Sequence, residues 1–505
     1  MLALLNFDSA SQPLLERLIE DGRLPVLREL FAQGTRHSLD TPARYFPAGT
    51  YSSLYSGRGV ADHGLYYPLQ WSHREQRVRH QDEFPAAPGV WERVAGSGVR
   101  TLLIDPYEAR EPEQLSGLAI AGWQLRNRVV LPGWSLPQGA RRHFERAFGR
   151  SPAVDEVFGT PSLKAFRQMR RDLLTAPGRV ATLTRHLLAR DRFDLLWLTF
   201  SATHLAGHQF WDLSQLVEGE RETARRERLE DTLVDVYVAA DAAIGRILEA
   251  LPDNADIILF SALGMGPNTS RADLLPDMLS AVLSGKRATT SAKSASTNPL
   301  WRLRAAVPTR TRASIANALP RRAVLEVISR LEVRARDWSQ VRAFTLPSDG
   351  VGYIRLNVRG RERDGVVHDA EIRELEEQIT HGLLSYTGLD GRPPIAAIER
   401  IADVLPDAAR AELLPDLLVR WSESPTTKLD PLVSPQFGEV RRAGGGSGRS
   451  GNHTDDAWAV VIPGASTQAA ERGPGSVVDI AATVCAVFGA DPSGLTGKPL
   501  LTQQH

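Results

Sequence analysis

The chain has 505 residues, 42% of them hydrophobic, and its 60 Lys and Arg balance its 60 Asp and Glu for a formal net charge of +0. That length suits one large elaborated domain or two smaller ones, and the charge balance removes any bulk electrostatic case for a nucleic-acid polymer or an anionic membrane as partner. A single cysteine, Cys485, excludes an intrachain disulfide and zinc sites built on paired cysteines.

The first residues, Met1-Leu2-Ala3-Leu4-Leu5-Asn6-Phe7-Asp8, carry no basic n-region and no small-residue cleavage site. They read as a first strand that ends at Asp8, and the protein is expected to be cytoplasmic. Helical periodicity follows over residues 13–20, with Leu14, Leu15, Leu18 and Ile19 on one face, and over 26–32, stopped by Gly34. Further strands are expected at 101–104, 195–200, 256–261, 416–421 and 457–462. Long helices at 177–189 and 229–250 feed the strands at 195 and 256. No apolar run approaches the roughly 20 residues needed to span a bilayer. Short apolar runs alternating with amphipathic stretches predict an α/β fold, a mainly parallel sheet sandwiched by helices. Two stretches break the rhythm. Residues 285–297 read as a loop rich in Ser, Thr and Ala, and 444–448 as a flexible Gly loop ahead of His453. Between them, the basic helical stretch 301–336 suggests an inserted cap.

Three places could carry chemistry. His204 and His208, in Thr203-His204-Leu205-Ala206-Gly207-His208, are four apart on one helical face. That spacing lets two imidazoles grip one zinc ion or leaves them as ordinary core or surface residues. They follow a strand end, where ligands gather in open α/β sheets. Asp8 also follows a strand end, as a ligand or as a helix N-cap. Thr50, in Phe46-Pro47-Ala48-Gly49-Thr50-Tyr51-Ser52-Ser53, opens a short helix, where free N–H groups suit a phosphate or an alkoxide and a Thr cap is equally reasonable.

Together these segments resemble the type I phosphodiesterase/nucleotide pyrophosphatase branch of the alkaline phosphatase superfamily. The stretch from Leu15 to Leu27 is similar to the family's segment after its first metal-binding Asp, and Thr50 to Gly59 with Asp62-His63-Gly64 to its nucleophile segment. Gly352-Tyr353-Ile354-Arg355-Leu356-Asn357 with Gly360-Arg361-Glu362, Pro415-Asp416-Leu417-Leu418, and Val478-Asp479-Ile480 with Gly497-Lys498-Pro499-Leu500 match others in order.

The resemblance implies an alkaline-phosphatase-like domain over 1–505, with its core from 1–266 and about 340–505 and a cap at 267–339. It further implies a bimetallic hydrolase in which Thr50 attacks phosphorus. One metal falls to His204, His208 and His453, and the other to Asp8, Thr50 and an Asp-His pair. Two departures follow. His204 stands where the family has Asp, which leaves a three-histidine site of a known catalytic zinc type. The pair is replaced by Ala262 and Leu263 in Ser261-Ala262-Leu263-Gly264-Met265-Gly266, neither of which can ligate. One zinc ion is therefore expected in place of two, with Asp455, Asp456 and Asn268 as candidate replacement ligands and Asp8, His63 and His37 as candidate bases. Three readings stand side by side. One is a hydrolase of small phosphodiesters or related phosphate esters, attacked by Thr50 or by zinc-bound water. The others are an inactive pseudoenzyme that binds or scaffolds, and a phosphoryl-type transferase. The aromatic run Tyr66-Tyr67-Pro68-Leu69-Gln70-Trp71 lines a pocket or packs a core.

Overall fold

A computed structural model describes residues 1–124, 133–149, 161–288, 326, 337–423, 431–442, 447–470 and 473–504. The cap expected at 267–339 and the loops at 285–297 and 444–448 fall largely outside them.

The strand Leu2–Asn6 is buried throughout, because both of its faces are covered. Alternate residues point to opposite sides. Ala3, Leu5 and Phe7 pack with Leu15, Leu27, Val180, Leu205 and Val236 from helices on one face. Leu2 and Leu4 pack with Tyr51, Leu54, Val90 and Ile480 on the other. This strand pairs in parallel with Leu195–Thr199 and Asp256–Ser261 at the centre of a nine-stranded sheet. From edge to edge the order is Gly475–Ser476, Thr35–Asp40, Ala457–Ile462, Asp256–Ser261, Leu2–Asn6, Leu195–Thr199, Thr101–Ile104, Gly117–Ile120 and Ser135–Leu136. Ala457–Ile462 runs antiparallel to both of its neighbours. The predicted α/β class, a mainly parallel sheet between helices, is what the chain adopts.

The helix expected from Pro177 starts earlier, at Leu163, and runs to Arg190 with Pro177 inside it. Proline is favoured at a first turn and costs about 3 kcal/mol in a helix interior. Here Phe166, Met169 and Leu173 continue the buried stripe upstream and outweigh it.

A second sheet is four-stranded and antiparallel, in the order Ala343–Leu346, Gly352–Leu356, Leu417–Trp421 and Ile395–Arg400. Helices Leu275–Ser284 and Asp369–Leu384 cover it, and Leu279, Ile354, Leu375, Ile379 and Val419 form its own core. The last third of the chain, from about residue 340, thus contributes to both of these sheets, since the nine-stranded one resumes only at Ala457. Several of the family-like motifs meet in this second sheet. The fully buried Arg355 donates to Glu362 at 2.8 Å, Arg361 grips Asp416 with two bonds of 2.6 and 2.8 Å, and Trp71 Nε1 donates to Glu362 at 2.9 Å. These charges are paired with one another within the second sheet and its neighbouring turns.

Candidate metal centre

Helix Ala202–Phe210 starts just beyond the carboxyl end of strand Leu195–Thr199. It places His204 and His208 one turn apart, 4% and 0% exposed. His453 arrives on strand Gly451–Thr454, which pairs antiparallel with Gly264–Pro267 and sets His453 opposite Met265. The three imidazole centroids are 4.7 to 4.9 Å apart, and one ring nitrogen from each lies within 4.8 Å of the others.

Hydrogen bonds decide which nitrogens face the centre. His208 Nδ1 is 3.0 Å from the Gly451 carbonyl, so it carries the proton and Nε2 keeps its lone pair. That Nε2 and His453 Nδ1 are buried with no hydrogen-bond partner. A buried, unpaired polar atom costs about 1–3 kcal/mol, and two facing each other are the signature expected of a ligand pair. Burial, followed by the nearby Arg449 guanidinium, holds His208 well below the usual imidazole range. Burial, then His204 and Arg449, does the same to His453. Both rings are neutral, the form that binds metal. These observations fit a zinc ion.

Asp8, 1% exposed, is in contact with the cluster through one member only. Its Oδ2 lies 3.0 Å from His204 Nδ1, and Tyr51 donates its hydroxyl to Oδ1 at 2.9 Å. Metal-binding histidines commonly hand their outer N–H to such a carboxylate. The geometry aims His204 Nε2 inward and makes Asp8 its support.

Thr50 is fully buried in helix Gly49–Ser56. Its Oγ lies 3.5 Å from the Phe46 carbonyl and 3.5 Å from Thr41 Oγ, and the residue is absent from the pocket wall. A helix turns about 100° per residue, so it is the next residue, Tyr51, whose hydroxyl reaches Asp8. Ala262 and Leu263, where the second metal's pair is expected, are 2% and 0% exposed and pack into the apolar core; Thr41 Oγ donates to the Ala262 carbonyl at 2.9 Å.

The remaining candidates lie elsewhere. His63 bonds Ser53 Oγ at 2.9 Å and accepts from Leu65 N at 3.0 Å, and burial pushes it down to about 4. His37 is buried on the Thr35–Asp40 strand. Asp455 and Asp456 are exposed, the first 3.8 Å from Arg44 and the second accepting from Thr454. Asn268 donates to the Arg449 carbonyl at 2.9 Å. In the aromatic run, Tyr66 and Trp71 are core, while Tyr67, Pro68 and Leu69 line a pocket.

That pocket, about 80 Å³, opens on His204 and His453; Tyr51, Tyr107, Glu108, Asp349, Arg449 and Asn452 are also in its wall. These residues escaped the sequence reading, although 105–108 follow a strand end, the position that drew attention to Asp8. Tyr107 lies 4.6 Å from the His204 ring. Asp105 and Glu108 both have φ of 51°, a left-handed conformation that costs side-chain-bearing residues energy. Asp105 fixes the loop by accepting from Trp123 N and Gln124 N at 2.6 and 2.8 Å, and burial pushes its carboxyl up to about 6.

Among solved structures, murine ectonucleotide pyrophosphatase/phosphodiesterase 5 aligns over 98% of this chain and 97% of its own, at 10% identity and a TM-score of 0.51. Phosphonoacetate hydrolase from Sinorhizobium meliloti 1021, in complex with phosphonoformate, aligns over 97% and 95%, at 12% identity and a TM-score of 0.52. At such identities the likeness is one of fold. No curated protein matches the sequence significantly. The profile for type I phosphodiesterase/nucleotide pyrophosphatase matches residues 2–419, most of the chain. With the sheet order and the ordered motifs, this makes the protein a member of the type I phosphodiesterase/nucleotide pyrophosphatase family, within the alkaline phosphatase superfamily.

Proposed function

We propose that this member hydrolyses small phosphodiesters or related phosphate esters at a centre holding a single zinc ion on His204, His208 and His453. The observation that carries the reading is the pair of buried, unpartnered nitrogens, His208 Nε2 and His453 Nδ1, on rings whose centroids are 4.7 Å apart. A zinc ion held there supplies Lewis-acid polarisation of a phosphoryl oxygen.

The protein's own groups do the rest. Gly451 fixes the His208 tautomer, and Asp8 takes the outer N–H of His204 while Tyr51 shares the carboxylate's charge. Burial pushes the Tyr51 phenol well above its ordinary range, so it stays a donor. The attacking oxygen is assigned to water and not to Thr50, whose hydroxyl is turned toward Phe46 and Thr41. Water forms the new P–O bond, the ester P–O bond breaks, and the alcohol leaves with a proton. Structures of similar fold offer a precedent for the ligand class, since an inactive variant of the murine ectonucleotide pyrophosphatase/phosphodiesterase 5 has been solved in complex with AMP and the bacterial hydrolase with phosphonoacetate.

The test is metal content by elemental analysis of wild type and His208→Ala, with hydrolysis of a chromogenic nitrophenyl phosphodiester measured alongside. About one zinc per chain, lost in the variant together with turnover, is expected. Zinc-free wild type, even after zinc is supplied, would leave the pseudoenzyme reading, which the apolar packing of Ala262 and Leu263 favours.

A further inference from the structure

One charge in the pocket wall has no part in holding the metal. Arg449 is 5% exposed and lines the same pocket as His204 and His453. Its main chain is tied down on several sides. The Arg449 carbonyl accepts from Asn268 Nδ2 at 2.9 Å and from Gln215 Nε2 at 3.1 Å. The next residue, Ser450, donates its N–H to the His208 carbonyl at 2.9 Å. The backbone that carries the guanidinium is therefore fixed to the helix that carries two of the imidazoles. Arg449 Nη1 lies 3.3 Å from Asp349 Oδ2, and that carboxylate, 38% exposed, comes from the connection between strands Ala343–Leu346 and Gly352–Leu356 of the second sheet.

A phosphoryl group spreads negative charge over its non-bridging oxygens, and a fixed cation aimed at them stabilises charge without reorganising. Where the family's resemblance implies a second metal, Ala262 and Leu263 offer no ligand atom. We propose that Arg449 takes the place of that second cation: its guanidinium receives the non-bridging oxygens of a phosphate-type oxyanion seated beside the three histidines. The planar fork of arginine matches two oxygens of such an anion. Asp349 holds the fork in place until the anion competes for it. Glu108 and Asp349, in the same wall, repel an anion, so binding is weaker wherever either positive centre is missing. The proposal rests on the single-zinc reading for its partner cation only; anion binding by Arg449 is measured separately.

Inorganic phosphate is titrated calorimetrically into zinc-supplied wild type, Arg449→Lys and Arg449→Gln, and zinc content is measured on the same samples. Arg449→Gln is expected to bind phosphate about tenfold more weakly or worse at unchanged zinc content, with Arg449→Lys in between. Equal affinity in all three proteins overturns the proposal, as does a wild type that binds no phosphate. A zinc-free wild type sinks the single-zinc reading alone, because the phosphate titration still compares Arg449 with Gln. Should Arg449→Gln fail to fold, Asp349→Asn decides. Losing the competing carboxylate should tighten phosphate binding several-fold, and an unchanged or weaker affinity overturns the proposal.

Discussion

Asp8 shows how little a residue's identity says about its task until its neighbours are placed. A carboxylate just beyond a first strand suits a metal ligand, yet its oxygens are engaged by His204 and Tyr51. Replacing it should therefore weaken the metal without abolishing its binding. Asp8→Asn is expected to lower zinc affinity by about 10- to 100-fold in chelator competition, whereas His208→Ala removes it. Thr50 invites the opposite test. Thr50→Val should keep the zinc content of wild type and hold turnover within about tenfold; a loss of about a thousandfold would put its oxygen at phosphorus. His63 makes a statement about pH. Its imidazole is neutral in the fold, down at about 4 against 6.5 for an ordinary one, so the stability it contributes is whole above pH 6.5. That contribution is lost as pH falls toward 4, by about 1.4 kcal/mol per unit. Urea midpoints measured from pH 7 to pH 4 should fall less steeply for His63→Asn than for wild type. The histidine pair was legible from spacing, and His453 from the family's motif order. Tyr51, Tyr107 and Arg449 were not, because nothing local marks which aromatic or basic residue a distant strand end will meet.

At the scale of elements, the site depends on how closely two backbones approach. A Cβ on Gly451 would lie 2.1 Å from the Gly207 carbonyl oxygen and 3.1 Å from Trp211 Cβ. Strand Gly451–Thr454 can dock on helix Ala202–Phe210 only because Gly451 carries no side chain at that contact. Gly451→Ala should push the strand off the helix, destabilise the protein by about 1–3 kcal/mol and lower zinc affinity with it, read by thermal melts and chelator competition on the same preparations. The strands at 2, 101, 195 and 256 were readable because buried parallel strands are short continuous apolar runs, and the antiparallel strand at 457 because it is buried in the same continuous way. The helix across Pro177 was not, since proline's local preference for a first turn hides the stripe that continues upstream. The strand at 417 was readable as a strand but not as part of a second sheet, since an apolar run carries no label for its partner.

The pocket draws on both sides of the molecule. Asp349, Gly350 and Tyr353 come from the second sheet's side, the histidines from the nine-stranded side. The three histidines fall in two segments that enclose the second sheet in sequence. Zinc bound to the folded chain and not to the unfolded one raises stability by mass action. Added zinc should therefore raise the melting temperature of wild type and leave His208→Ala unmoved.

The same threading has a cost during synthesis. Strand Ala457–Ile462 slots between Thr35–Asp40, made early, and Asp256–Ser261, made midway. Until the ribosome has delivered this late strand, the growing sheet has a gap between its central strands and Thr35–Asp40, which waits with bare amides. Such an edge invites pairing with another chain, and closures over so long a separation are slow. A nascent chain stopped before residue 457 should accumulate as aggregates or on chaperones, however sound its first half, because in this protein the keystone is laid late.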